Sequence, residues 1–83
     1  MKTLWLARND NDYQLFTAKP FLSDGCIGWN VDTYIYTFCI QEWHMVTGIK
    51  LRELYCVQVS VTKTKTGFTF CTVGKPFKLE PKP

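Results

Sequence analysis

The chain has 83 residues, 46% of them hydrophobic and 16% aromatic. That allows one hydrophobic core and excludes both a second domain and a disordered chain. No apolar stretch approaches the roughly 20 residues that span a bilayer, and the apolar run after Met1-Lys2 ends at Arg8-Asn9-Asp10, too early for an export signal. A cytoplasmic protein without membrane contact is expected. The net charge of +3 is unevenly placed: five basic and six acidic side chains precede Ser60, and five lysines against Glu80 follow it. Such asymmetry marks a contact with an acidic partner, or lysines that keep a hairpin and a tail soluble and unpaired.

In chain order, Thr3 to Arg8 and Tyr13 to Ala18 flank Asn9-Asp10-Asn11-Asp12. Two β-prone runs around an Asx cluster predict a hairpin, because Asn and Asp accept the backbone of tight turns. Symmetric closure sets Arg8 opposite Tyr13 and Leu6 opposite Leu15. One face then carries Leu4, Leu6 and Leu15, and the other Trp5, Ala7, Phe16 and Ala18. Both faces are apolar, so the hairpin needs cover on two sides.

Lys19-Pro20 ends that strand, since proline has no amide proton for a ladder. Ser23-Asp24-Gly25 is a turn signal, and Cys26 to Val31 reads as a short strand broken by Gly28. Tyr34 to Ile40 is dense in β-branched and aromatic residues, which predicts a buried strand, with a helix from Asp32 as the alternative. Gln41 to Thr47 reads as a short helix, with Ile40, Trp43 and Val46 recurring every third residue and Gly48 placed to end it.

Leu54 to Thr62 alternates: Val57, Val59 and Val61 lie on one face, Gln58, Ser60 and Thr62 on the other. Phe68, Phe70 and Thr72 form the return strand. A loop of Thr64-Lys65-Thr66-Gly67 sets Val61 opposite Phe70 and keeps Val57, Val59, Val61, Phe68 and Phe70 on one buried face. A three-residue loop would split that set. After Val73, three of the last eight residues are proline, which predicts an extended or frayed tail, with an edge strand laid on the sheet by Phe77 and Leu79 as the alternative. The expected architecture is α+β: a mostly antiparallel sheet of about five or six strands with one short helix. It forms a single domain over 1–74, followed by a Pro/Lys-rich tail over 75–83.

Chemistry-bearing patterns are sparse. Cys26, Cys39, Cys56 and Cys71 form no C-x-x-C pair and match no zinc-finger or ribbon spacing. They are read as reduced, buried small hydrophobes. The hairpin register puts Cys71 across from Ser60, about 13 Å along the strand from Cys56, beyond disulfide reach. His44 is the only histidine. A pairing with Cys39 lacks an orienting acid and an oxyanion site, so His44 is read as a surface or half-buried helix residue. No phosphate-binding, dinucleotide, zincin or calcium-loop motif is present. The chain is therefore expected to be no enzyme and to need no cofactor.

The opening block, Leu4-Trp5-Leu6-Ala7-Arg8 through Tyr13-Gln14-Leu15-Phe16 to Lys19-Pro20, resembles the start of short uncharacterised bacterial and prophage-type proteins. Val46-Thr47-Gly48-Ile49 before a valine-rich strand fits the same resemblance. Asn9 stands where that pattern has an aspartate, and the turn lacks its glycine. The resemblance covers about half the chain and implies a mobile-element origin. It assigns no activity, so no functional residue carries over.

The functional expectation is a small protein-binding module, an accessory or inhibitory protein of a mobile element. Its candidate contacts are Lys63 and Lys65 at a hairpin tip, Lys75 and Lys78 in the tail, or an exposed sheet edge. The alternative is a nucleic-acid-binding module using the same lysines. Against that stand the small net charge and phenylalanines expected in the core.

Overall fold

The first hairpin closes where the Asx cluster dictates. In a computed structural model, which describes residues 2–82, β1 (Lys2–Arg8) and β2 (Asp12–Phe16) pair antiparallel with Arg8 opposite Tyr13 and Leu6 opposite Leu15. The Asn9 side chain forms the turn: its Oδ1 accepts the Asn11 and Asp12 amide protons at 2.8 and 2.5 Å. Each face of this hairpin is covered, as two apolar faces require.

β3 (Phe21–Ser23) and β4 (Cys26–Gly28) form a separate two-stranded sheet. Their two-residue turn, Asp24-Gly25, has both φ angles positive, at 50° and 78°, which suits the twist of a tight hairpin. Gly28 lies opposite Phe21, and a Cβ there would sit 2.5 Å from the Phe21 ring. Glycine is required at this point because the ring lies directly over the backbone.

β5 (Tyr34–Cys39) is a strand, which decides against the alternative of a helix from Asp32. It pairs with β2, with a β-bulge where Leu15 faces Tyr36 and Phe16 faces Tyr34. α1 (Ile40–Thr47) follows directly and ends at Gly48 with φ 74°. Trp43 is buried and Ile40 packs on the core, but Val46 is 70% exposed. Eight residues make barely two turns, so only the part of the helix facing β2 and β5 finds cover.

β6 (Tyr55–Thr64) and β7 (Gly67–Lys78) form the last hairpin. Val61 faces Phe70, the expected register. The ladder runs one pair further than expected, so Thr64 pairs with Gly67 around Lys65-Thr66. The main sheet has the order β5-β2-β1-β6-β7, antiparallel throughout. With its single helix and second small sheet the fold is α+β and mostly β.

One core lies between the sheet and α1, built from Leu4, Leu6, Tyr13, Leu15, Trp43, Leu51, Val57 and Val59. A second lies on the opposite face, where Ala7, Phe16 and Cys56 meet Ile27 and Leu79. Two expectations are corrected here. The segment after Gly74 is extended, but it is built into the fold: residues 75–78 continue β7, Leu79 is 2% exposed, and Leu22 bridges Pro81. Phe77 and Leu79 complete the second core, which gives the chain end a packing energy that composition alone does not reveal. Phe68 shares the face of Val59 and Val61 yet is 61% exposed. Among the described residues β1 pairs with β6 as far as Lys2, opposite Val61, and the β6–β7 hairpin continues beyond that pair as a two-stranded arm.

Leu54 holds φ 62°, an uncommon conformation for a leucine. Its amide donates to the Arg8 carbonyl at 2.7 Å, and its carbonyl accepts the Leu79 amide proton at 2.9 Å. This residue ties the end of β1 and the start of β6 to the chain end.

Candidate functional site

The main sheet leaves two strands at its edges, β5 and β7. They differ in chemistry. β7 carries Lys75, Pro76 and Lys78, and its pairing with β6 is irregular where Cys56 and Gln58 face Phe77 and Val73. Lysine, proline and bulges are the usual means of keeping an edge from recruiting another strand. β5, Tyr34-Ile35-Tyr36-Thr37-Phe38-Cys39, has no charge and no proline.

Large apolar side chains are exposed beside that edge: Trp29 (38%), Val31 (91%), Tyr34 (43%), Ile35 (40%) and Tyr36 (58%). They are held in place. The Trp29 ring lies 5.4 Å from Phe16 and 5.7 Å from Tyr34, and the Tyr34 hydroxyl shares a 2.7 Å hydrogen bond with the Thr37 hydroxyl. On the other face the Tyr36 ring packs on Phe38 at 4.8 Å, and Phe38 packs on the buried Trp43 at 4.8 Å. The rings thus form two clusters, one on each face, each reaching the core on its own side.

The four sequence-predicted lysines are all exposed, and they form two separate groups. Lys63 and Lys65 lie at the tip of the β6–β7 arm, while Lys75 and Lys78 lie near its base, where Lys78 faces Tyr55. From Tyr55 to Lys63 is about 26 Å at strand rise. Lys63 lies directly across from the exposed Phe68.

His44 has Tyr13 as its partner: Nε2 lies 2.7 Å from the Tyr13 hydroxyl. The Leu51 amide donates to that hydroxyl at 2.9 Å, so the phenol oxygen is shared between the helix residue and the loop. Burial, then Lys50 and Arg8, hold His44 below the ordinary histidine range. Arg8 donates to the Leu51 carbonyl at 2.6 Å, and its guanidinium lies over the Tyr13 ring at 5.9 Å. The network fastens the 49–52 loop to β1 and β2.

The cysteines correct the expectation that all four are buried. Cys56 alone is inside, and burial pushes its thiol up to about 12, which keeps it protonated and inert. Cys26, Cys39 and Cys71 are exposed on strands whose outer faces lack cover. Among the described residues no group of three or more His, Cys, Asp and Glu side chains could hold a metal ion. No helix among them is long and apolar enough to cross a membrane.

No protein-family model, curated protein or solved structure matches this chain.

Tyr34 to Cys39 corrects the expectation of a buried strand: Tyr34, Ile35, Tyr36 and Cys39 are exposed on the β5 edge. A usable signal was present: a six-residue strand without charge, reached through the turn-forming Asn30-Val31-Asp32. Its edge position, however, follows from strand order, which no local pattern specifies.

Proposed function

We propose that this protein is a non-catalytic protein-binding module that takes up its partner along the β5 edge. The observation that carries this reading is the uncharged edge strand flanked by exposed Trp29, Val31, Tyr34, Ile35 and Tyr36. An edge strand offers unpaired amides and carbonyls for main-chain recognition, and alternate side chains beside it supply specificity. Aromatic residues are favoured at the centres of interfaces and charged ones disfavoured, which is the composition found here. The opening hairpin's resemblance to short bacterial and prophage-type proteins supports a mobile-element origin alone, and a cytoplasmic accessory or inhibitory protein is the setting proposed for it. Recovery of partners by the wild type and by Tyr36→Lys, compared by quantitative mass spectrometry, tests the reading. Partners should be lost from Tyr36→Lys and kept by Lys63→Glu/Lys65→Glu.

A second reading draws on the projecting arm. Exposed Phe68 opposite Lys63, with Lys65 in the turn, combines an aromatic stacking surface with positive charge, as single-stranded nucleic-acid binding requires. Salt dependence separates the two readings. Nucleic-acid affinity should fall steeply with added salt and be lost in Lys63→Glu/Lys65→Glu, whereas an aromatic protein interface should respond weakly to both.

A further inference from the structure

We infer that the β5 edge is self-complementary and joins two copies of this chain into a dimer with one continuous antiparallel sheet. The inference rests on the protein-binding reading and names the partner.

A second copy is singled out by the distribution of charge between the two edges. The chain carries +3 overall, so copies repel each other weakly and must meet where charge is absent. Pairing β7 with β7 along its Lys75–Lys78 stretch would bring like charges of the two copies together, and the Pro76 position has no amide proton to donate. Pairing β5 with β5 opposes no charges. In a two-fold contact the same patch faces itself, and an uncharged aromatic strip meets that condition without a complementary surface elsewhere.

Geometry narrows the register. Residues directly opposed in an antiparallel ladder lie on one face of the sheet. A strand paired with its own copy must therefore have its two-fold axis on a residue, not between two. The bulge at Ile35 and the helix from Ile40 leave Tyr36 to Cys39 as the regular stretch, so an axis that pairs Tyr36 within it falls on Thr37. Tyr36 then meets Phe38 of the second copy. Such an axis stands perpendicular to the sheet, so both α1 helices lie on one side of it. The exposed Met45 and Val46 then add apolar surface on that side.

The available area is of the right order. Trp29, Val31, Tyr34, Ile35 and Tyr36 offer roughly 500 Å² per copy, taking their exposed fractions of typical side-chain areas. A standard interface buries about 800 Å² per partner, and the β5 backbone with the helix residues supplies the difference. The joined sheet would have ten strands, within the range open sheets tolerate.

Light scattering over a wide concentration range tests this on the full chain, with circular dichroism confirming that each variant is folded. The wild type should approach twice the 9.7 kDa chain mass as concentration rises. Tyr36→Lys and Tyr36→Glu should each remain at the single-chain mass, and an equimolar mixture of the two should return to the doubled mass. Ile35→Lys, at the bulge, provides a second route if a Tyr36 variant is poorly folded, and it too should be monomeric. A wild type that stays at the single-chain mass throughout overturns the inference, as does a doubled mass that persists in folded Tyr36→Lys and Ile35→Lys. A monomeric wild type that still recovers another protein through Tyr36 overturns the dimer and leaves the protein-binding reading standing. A monomer that recovers nothing through Tyr36 removes both.

Discussion

The Tyr13 hydroxyl, 2.7 Å from His44 Nε2, is also the acceptor for the Leu51 amide at 2.9 Å. One phenol thus joins β2, α1 and the loop that precedes β6, through a chain of hydrogen bonds in which each group needs the next. Tyr13→Phe keeps the ring stacked on Trp43 but leaves the buried Leu51 amide without an acceptor. It should cost about 1–3 kcal/mol, measurable by urea unfolding.

His44 makes the same network sensitive to acid. Its pKa is lowered in the folded protein by burial first, then by Lys50 and Arg8. The unfolded chain takes up a proton at the ordinary value near 6.5 while the folded protein resists, so acid favours unfolding. This contribution to stability is complete above that pH and declines as pH falls through it. Melting temperature should drop on that side, and His44→Phe should flatten the pH dependence there.

The cysteines should separate by reactivity. Cys26, Cys39 and Cys71 are exposed and should react readily with a thiol reagent in the native protein. Cys56, fully buried with its thiol pushed up to about 12, should react only once denaturant is added. A count of three native thiols and four denatured ones is the expected titration.

The chain end should matter for stability. Leu79 closes the second core against Ala7, Phe16, Cys56 and Ile27. Leu79→Ala should cost about 2–4 kcal/mol by leaving a cavity there. Truncation after Gly74 removes Phe77 as well and should leave the protein largely unfolded at room temperature, as followed by near-ultraviolet circular dichroism.

Two phenylalanines two residues apart should behave differently. Phe70 packs on Trp43 at 5.0 Å and is half-buried, whereas Phe68 stands on the arm beyond the Lys2–Val61 pair. Phe70→Ala should cost about 2–3 kcal/mol and Phe68→Ala less than about 1. Lys63→Glu/Lys65→Glu should stay within about 0.5 kcal/mol of wild type. Val59→Asp, on the same face but fully buried, should cost several kcal/mol because the carboxylate has no partner. From highest to lowest, the denaturant midpoints should run Lys63→Glu/Lys65→Glu, Phe68→Ala, Phe70→Ala, Val59→Asp.

Much of this architecture is local and was legible in the residues. Asn9-Asp10-Asn11-Asp12 sets the first turn and with it the pairing of Leu6 with Leu15; Val57, Val59 and Val61 alternate onto one face, and the second hairpin's register follows from keeping Phe70 with them. These outcomes depend on neighbouring backbone geometry and on a period of two, which a chain carries with it wherever it packs. Coverage is another matter, because it depends on how far a non-neighbouring strand extends and on which strand ends the sheet. Among the described residues β1 pairs as far as Val61, and Phe68 lies beyond that pair while Phe70 reaches Trp43. Two turns of helix cover Trp43 and leave Val46 in water. Strand order puts β5 at an edge and exposes Tyr34 to Tyr36, and only the second core gives Leu79 something to bury. The residues fix which way each side chain points along its own strand, and the tertiary structure decides whether anything stands opposite it.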